Sequence, residues 1–316
     1  MQWHDRIGRR LRLKDLHTLH TLQTVAEVGS MAKASRRLGL SQPAISKAIT
    51  DMEHSVGAAL LDRTSRGVEL TECGRLLVDR TRVVFDEIKL GVTDIVQRSD
   101  PAQGLVAIGT TEPVTAIVTE IIGHLVRRYP GIRYHITIGD RDALEHALRQ
   151  RMLDLAITRW APLPVADDLS AEVLFRSSLA VMAERRHPLL QSRKKLRLAE
   201  LMQEQWTLSP PDSFLGRTGV ELFRRHNLPL PPTTVTTISI YMRLNLLASS
   251  RFITLLPMQI LGMRSSSAWL RALNVDLGDT SAPIASITLK GRRAGSAVKL
   301  FQEASREVCK ALVGVS

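Results

Sequence analysis

A row of short polar side chains recurs between residues 42 and 50 at the spacing of one helical face. Its members combine hydrogen-bonding groups, one cation and one compact apolar ring: Gln42, Pro43, Ser46, Lys47 and Thr50. The edges of base pairs in a DNA major groove present donors, acceptors and thymine methyl groups to such a surface. The row therefore predicts a surface that reads DNA. The alternative is an ordinary helical hairpin whose outer face is solvated.

Two short helices joined by a tight turn would position this row. Ser30 and Ser41 are placed to cap the helices, and Gly39 tolerates the left-handed backbone that ends the first. Apolar side chains at helical spacing predict the faces that pack together: Met31, Ala34 and Leu38 in the first helix, and Ile45, Ala48, Ile49 and Met52 in the second. A helix from about Lys14, with Leu16, Leu19, Leu22 and Ala26 facing inward, would close a three-helix core. This is the helix-turn-helix pattern, in which the second helix reads the groove.

A strand, a turn and a second strand are expected over residues 58–63, 64–67 and 68–70, as a wing beside the reading helix. Arg63 and Arg66 are placed to contact the DNA backbone. Phosphate contacts position a protein on DNA but carry no sequence information. The alternative for Arg63 is a surface ion pair with Asp62 or Glu69, which would contribute little.

The string SQPAISKAI, preceded by ASRRLGL and followed by GAALLDRTSRGVELTECG, resembles the LysR-type transcriptional regulators. The resemblance is detailed over roughly the first 75 residues and architectural beyond them. It implies that Arg63 and Arg66 serve the DNA side. Three positions depart from the family pattern: Ala32 replaces a frequent Thr, Ser35 a frequent Ala, and Leu61 a frequent Phe.

A long helix with a narrow apolar seam follows the wing, from Glu72 to about Gln97. Its apolar side chains lie at nearly heptad spacing: Leu77, Val84, Ile88 and Ile95. Such a seam favours a partner helix, and the resemblance implies a dimerising linker. We therefore expect self-association as a dimer or tetramer that presents two reading helices to a two-fold-related DNA site. The alternative is that the helix packs within its own chain.

Strands alternate with helices from residue 104 onward, which predicts parallel sheets with crossover helices. The resemblance implies a two-lobed effector domain of the type II periplasmic-binding-protein fold. The expected fold class is thus α/β, with an all-α winged helix-turn-helix at the N-terminus and a long linker helix. The expected domains are 1–71 for DNA binding, 72–98 for the linker and 104–316 for effector binding. Lobe one comprises residues 104–176 and 281–316, and lobe two comprises residues 177–280.

Polar side chains at the ends of the expected strands predict a ligand site, because open parallel sheets bind ligands at their carboxyl edge. The candidates are Thr110, Thr111, Asp140, Arg159, Ser209 and Thr237, with Phe252 closing the pocket. The helix after Thr111 points free amides at this place, which favours an anion. Glu112 beside it disfavours one. The alternative is that Thr110 or Thr111 merely caps the helix.

The composition fits a polyanionic partner, since 43 Lys and Arg against 31 Asp and Glu give a net charge of +12. Residues 1–66 hold 11 basic and 6 acidic residues, whereas 101–316 hold 27 and 18, so net charge does not locate the DNA contact. Cys73 and Cys309 form no disulfide or metal pattern, and we expect two reduced thiols. No signal peptide or apolar run of about 18 residues is visible, so we expect a cytoplasmic protein without membrane contact.

These features favour a ligand-responsive bacterial transcription factor that binds double-stranded promoter DNA and senses a small, anionic metabolite. An enzyme is not expected, because the sequence has no Gly-rich phosphate loop, nucleophile elbow or metal-ligand cluster. No cofactor is expected either. The alternative is a DNA-binding regulator without a small-molecule effector, which acts constitutively or through a protein partner.

Overall fold

The computed structural model describes residues 15–64, 67–99, 103–159, 166–191, 194–249, 251–262 and 268–313. The chain divides into two compact units, Met1–Val92 and Thr93–Ser316, and each has its own hydrophobic core. No helix among the described residues is long and apolar enough to cross a membrane.

The described part of the first unit starts with three helices, and their bounds are α1 Asp15–Val28, α2 Met31–Leu38 and α3 Gln42–Val56. The predicted caps are confirmed: Ser30 accepts from the Lys33 amide, and Ser41 accepts from the Ala44 amide. The prediction for the inner face of α1 was wrong in one position. Ala26 is half-buried, whereas Val25 is fully buried. The inward-facing residue after Leu22 is therefore the one three positions later, and not the one four positions later.

The wing is a two-stranded antiparallel sheet, β1 Leu61–Thr64 and β2 Gly67–Leu70. Asp62 lies opposite Glu69 in its register. The long helix α4 then spans Glu72–Ser99. Thr71 caps α4, since its hydroxyl accepts from the Gly74 amide at 2.9 Å.

The second unit holds two five-stranded sheets, each covered by helices. The first has the order β4-β3-β5-β14-β6, with β3 Gly104–Thr110, β4 Ile132–Ile138, β5 Leu155–Arg159, β6 Leu169–Ser177 and β14 Ala282–Leu289. Its helices are α5 Thr115–Arg128, α6 Arg141–Arg149 and α9 Ser296–Val313. A short 3-10 turn, Glu112–Val114, separates β3 from α5. Phe301 of α9 and Ile121 of α5 are fully buried in the core of this lobe.

The second sheet has the order β10-β9-β11-β7-β12. Its strands are β7 Leu179–Glu184, β9 Gln205–Leu208, β10 Thr233–Thr236, β11 Phe252–Pro257 and β12 Leu270–Ala272. The short strands β8 Leu196–Arg197 and β13 Val275–Asp276 pair separately. Two helices complete this lobe, α7 Phe214–Arg225 and α8 Ile240–Ser249. The chain passes between the lobes at Ser178 and again between Asp276 and Ala282.

The prediction of parallel strands was wrong for the strands next to the crossings between the lobes. In the first sheet β14 runs antiparallel to both β5 and β6, and in the second β7 runs antiparallel to β11 and β12. The antiparallel strands are those next to the two crossings, where the chain enters a lobe from the other one rather than through a crossover helix. The expected alternation holds for β3, β4 and β5, and for β9, β10 and β11, which are parallel.

Candidate functional site

The polar row of α3 faces solvent while the opposite side of the helix is buried. Gln42, Pro43, Lys47 and Thr50 are exposed and Ser46 is half-buried. Ile45, Ile49 and Met52 are almost fully buried against α1 and α2. The row is thus held on a packed helix with its side chains free to meet another surface.

The turn before α3 is fixed by local hydrogen bonds. Gly39 adopts a left-handed backbone with φ of 67°, which ends α2. The Ser35 hydroxyl donates to the Leu40 carbonyl at 2.5 Å, across this turn. Ser35 is one of the three departures from the family pattern, and here it stabilises the turn between the two helices.

A carboxylate of α3 holds the base of the wing, and the sequence analysis missed it. Glu53 accepts hydrogen bonds from the amides of Leu60 at 2.7 Å and Leu61 at 3.2 Å. Glu53 lies one residue beyond Met52 on the reading helix, so the position of the wing is coupled to that helix. No signal in the spacing identified it, since Glu53 reads as an ordinary solvated residue of a last turn.

The two wing arginines are less well placed by the structure. The backbone of Arg63 lies in β1 opposite Val68. Arg66 lies outside the described residues. Their expected contacts with the DNA backbone, and the alternative ion pairs of Arg63, therefore stay predictions.

The apolar seam of α4 is exposed from Val84 onward. Leu77 is half-buried against the core of the first unit. Val84, Ile88, Val92 and Ile95 expose between 44% and 68% of their surface. These four side chains are spaced by four, four and three residues, so they lie on one face of the helix.

Six of the seven candidate ligand residues lie at the carboxyl edges of the two sheets. Thr110, Thr111, Asp140 and Arg159 follow the ends of β3, β4 and β5. Ser209 and Thr237 follow β9 and β10, and the Thr237 amide donates to the Leu208 carbonyl at 3.1 Å. Phe252 does not join them, because it begins β11 beside Gln205, the first residue of the parallel strand β9. It packs half-buried on the core at the opposite end of that sheet.

The side chains at the edge of lobe one differ in what they can offer a ligand. Thr110 is fully buried, and its hydroxyl donates to the Ile157 carbonyl at 3.0 Å. Asp140 is exposed but caps α6 by accepting from the Ala143 amide at 2.9 Å. Thr111 is half-buried, and its hydroxyl does not cap the turn that follows. Of these three, Thr111 is the one whose side chain is left available by the helix and the sheet.

Arg159 ties the two interlobe crossings to the first sheet. Its guanidinium donates to the Ser177 carbonyl and to the Thr280 carbonyl, each at 2.6 Å. Only 4% of the residue is exposed, and burial, with the nearby charge of Arg176 as a lesser cause, lowers its pKa to about 10. Arg159 thus has a structural partner on each crossing segment.

Lobe two contains a buried cation that the sequence analysis missed. Arg243 of α8 has no exposed surface, and its guanidinium donates to the Thr254 hydroxyl, the Leu255 carbonyl and the candidate residue Ser209 at 2.6–3.0 Å. Burial lowers its pKa to about 10, and the negative charge of Glu112 opposes that shift. Spacing could have found it, because Ile240, Arg243 and Leu247 share the buried face of α8.

The turn after β3 bridges the lobes. A carboxylate oxygen of Glu112 accepts from the backbone amide of Tyr241, in the first turn of α8, at 3.3 Å. The next residue, Pro113, accepts at its carbonyl from the Gln259 side chain at 3.3 Å. The carboxyl edges of the two sheets are therefore joined where the sequence predicts a ligand.

A cavity of about 830 Å³ lies elsewhere in the second unit, between α5, the crossing segments and the 3-10 turn Met258–Gly262. None of the seven candidate ligand residues lines it. Ser177 and Thr280 line the cavity, and Arg159 donates hydrogen bonds to the carbonyls of both residues. No group of His, Cys, Asp or Glu within the described part of the chain is arranged to hold a metal ion.

Two family models match the chain. Residues 16–75 match the model described as bacterial regulatory helix-turn-helix protein, lysR family. Residues 99–310 match the model described as LysR substrate binding domain. Together they cover both the polar row of α3 and the carboxyl edges of the two sheets.

Similar proteins carry the names of transcriptional regulators. The HTH-type transcriptional regulator GbpR of Azospirillum brasilense is 28% identical over 226 residues, which are 71% of this chain and 66% of that protein. The uncharacterized HTH-type transcriptional regulator YdcI of Escherichia coli K12 is 24% identical over 309 residues, 97% of this chain and 99% of that protein.

Solved structures share the fold. Full-length CbnR in complex with its target DNA matches with a TM-score of 0.61 and 19% identity, over 93% of this chain and 99% of that one. A full-length OxyR variant from Pseudomonas aeruginosa matches with a TM-score of 0.65 and 18% identity, over 92% of this chain and 94% of that one.

Proposed function

Because this chain belongs to the LysR family of bacterial transcriptional regulators, we propose that its α3 row reads promoter DNA and that a small molecule held between its two lobes adjusts transcription. The observation that carries the DNA contact is the exposed polar row of α3 over a fully packed apolar side. A helix held in this way can enter a major groove without unfolding its own core. We assign the base contacts to Gln42, Pro43, Ser46, Lys47 and Thr50, and the phosphate contacts to Arg63 and Arg66.

We further propose the domain limits 1–71 for DNA binding, 72–98 for the linker and 104–316 for effector binding. The cap at Thr71 supports the first limit. The exposed seam Val84, Ile88, Val92 and Ile95 supports self-association through α4, since four unpaired apolar side chains on one helix favour a partner helix. Such a dimer or tetramer acts on chromosomal DNA, which places it in the cytoplasm.

The effector site proposed here lies at the facing carboxyl edges of the two sheets. Thr111, Ser209 and Thr237 are its polar candidates, with Thr110, Asp140 and Arg159 supporting the backbone around it. Phe252 is not proposed as a ligand contact, because it packs on the core of lobe two. A ligand that binds one arrangement of the lobes better than another shifts the protein between states by that difference in affinity.

A second candidate function is regulation without a small-molecule effector, constitutively or through a protein partner. The hydrogen bonds that Glu112 accepts from the Tyr241 amide and that Pro113 accepts from the Gln259 side chain favour it, because they join the lobes through the chain's own atoms. Melting the purified protein with fractionated metabolite extracts separates the two, since a ligand that binds only the folded form raises the melting temperature. A fraction that raises it and also changes promoter occupancy supports the effector, and the absence of any such fraction supports the second candidate.

Selecting DNA fragments of the source genome with the purified protein tests the DNA function. We expect enrichment of a few fragments that contain two related half-sites, one for each reading helix of a dimer. Recovery of fragments in proportion to the input would contradict a sequence-reading function.

A further inference from the structure

The first turn of α8 points the Tyr241 amide at lobe one, and a side chain of lobe one accepts its hydrogen bond. The Met242 amide is satisfied by the Ser239 hydroxyl at 3.2 Å, and the Arg243 amide by the Ser239 carbonyl at 3.2 Å. The Tyr241 amide is satisfied instead by the carboxylate of Glu112, 129 residues earlier in the chain. An N-terminal helix turn favours an anion, and here that anion is a side chain of the other lobe.

A positive charge beneath the same place strengthens the preference for a carboxylate. Arg243 is fully buried in α8, and its guanidinium donates to the hydroxyls of Thr254 and Ser209 and to the Leu255 carbonyl, which are neutral oxygen atoms. Its charge is therefore not balanced by a carboxylate in direct contact, and Glu112 is the acidic residue whose charge acts on it. The Glu112 carboxylate thus lies at the positive end of α8, 3.3 Å from the Tyr241 amide nitrogen, and its charge also acts on the buried guanidinium.

The backbone around Glu112 holds the carboxylate in this position. Glu112 begins a 3-10 turn that follows the end of β3 after one intervening residue, and the Thr115 hydroxyl donates back to the Glu112 carbonyl at 2.8 Å. The Gln259 side chain donates to Pro113 from lobe two. Because its backbone is held in this way, the Glu112 carboxylate is present at the Tyr241 amide at a high effective concentration. A free anion at micromolar concentration therefore displaces the carboxylate poorly.

We propose that Glu112 is the specificity-determining residue of the effector cleft: its carboxylate occupies the anion position and selects a ligand that offers a hydrogen-bond donor or a positive group there. A ligand carboxylate at this position would lie beside the carboxylate of Glu112, and two adjacent negative charges repel each other. This inference rests on the proposed effector function. It replaces the expectation of an anionic effector that followed from the sequence.

The test removes the carboxylate and supplies a free one. Glu112→Ala, Glu112→Gln and the wild type are melted in sodium acetate and in sodium chloride of equal ionic strength. Acetate should raise the melting temperature of Glu112→Ala by about 2–4 °C over chloride and leave the wild type unchanged, because only the variant has a vacant anion position. The control is Glu303→Ala, which removes an exposed carboxylate from α9 and should behave as the wild type.

Amide hydrogen exchange gives a second readout that does not depend on acetate. The segment from Ser239 to Arg243 should exchange faster in Glu112→Ala and Glu112→Gln than in the wild type, and acetate should slow it again in Glu112→Ala. Equal acetate effects on all proteins, or no change of exchange in either variant, would overturn the proposal. Promoter binding by Glu112→Ala without ligand tests the proposed function separately, so the two failures are distinguishable.

Discussion

The carboxylate of Glu53 lies 2.7 Å from the backbone nitrogen of Leu60, and this hydrogen bond links the end of the reading helix to the start of the wing. A second bond, to the Leu61 amide at 3.2 Å, reinforces it. Two amides at the base of β1 thus depend on one side chain of α3. The position of the wing beside α3 is therefore held by residues outside the proposed reading row.

Glu53→Ala should lower the stability of the DNA-binding unit by about 1–3 kcal/mol, since two partly buried amides lose their acceptor. DNA affinity should fall as well, because the wing loses its position beside α3. Glu53→Gln keeps one acceptor oxygen and should lose less. Asp51→Ala is the control, as it removes an exposed carboxylate two residues earlier. Thermal melting and DNA titration of all three variants check this, and equal behaviour of Glu53→Ala and Asp51→Ala would refute it.

Neighbouring threonines at the end of β3 should separate stability from ligand response. Thr110→Val removes the buried hydrogen bond to Ile157 and should destabilise the effector unit by about 1 kcal/mol. Thr111→Val should leave both stability and DNA binding unchanged but weaken any ligand response. Melting curves and a promoter reporter with an active metabolite fraction measure the two effects. A normal response in Thr111→Val would remove that hydroxyl from the site.

Arg243→Ala should destabilise the effector unit by about 2–5 kcal/mol, because it leaves a cavity and deprives the Ser209 and Thr254 oxygens of their donor. Arg243→Met should lose less, since it fills the space and removes the cost of burying a charge. Denaturant unfolding compares the two variants. An equal loss for Met and for Ala would show that the hydrogen bonds and charge of the guanidinium, and not the volume it fills, stabilise lobe two.

The two cysteines should differ in reactivity. Cys73 is exposed, whereas Cys309 is buried in the core of lobe one, and burial raises the pKa of its thiol to about 11. The thiolate is the reactive form, so Cys309 stays protonated and inert at pH 8. Iodoacetamide should label Cys73 in the native protein and both residues after denaturation, as read by peptide mass spectrometry. Native labelling of Cys309 at the rate of Cys73 would contradict its burial.

Arg66→Ala should weaken DNA binding by a similar factor on all sequences, and each lost phosphate contact should lower the slope of log affinity against log salt by about 0.9. The reason is that a phosphate contact releases counterions without reading bases. Titrations of promoter and scrambled DNA at several salt concentrations give both quantities. A loss confined to the promoter would instead assign Arg66 to base reading.

Local signals explain why the helix-turn-helix was predictable from the sequence. Ser30, Gly39 and Ser41 mark helix ends within a few residues of the bonds they make, and the predicted caps are confirmed. The strand β6 was missed and the antiparallel direction of β14 was not foreseen. Strand direction at a crossing depends on how the chain returns from the other lobe, and no local pattern encodes that return.

The candidate ligand residues show the same limit. Strand polarity placed Thr111 and Ser209 at carboxyl edges, because that follows from the order of elements along the chain. It could not show that Ser209 is the partner of Arg243, or that Glu112 reaches Tyr241, since those contacts join residues 34 and 129 positions apart. Phe252 was misplaced because its strand starts, rather than ends, at that residue.

The reading role of α3 is tested by comparing Lys47→Ala with Lys299→Ala, which removes the same charge from an exposed position of α9. Both are titrated with a selected promoter fragment and with scrambled DNA of equal length. Lys47→Ala should lose about 5- to 150-fold in affinity for the promoter, which corresponds to the loss of about 1–3 kcal/mol expected for one base contact, and should change its base preference. Lys299→Ala should bind as the wild type does. Unchanged promoter affinity and preference in Lys47→Ala would contradict the placement of the α3 row in a DNA groove.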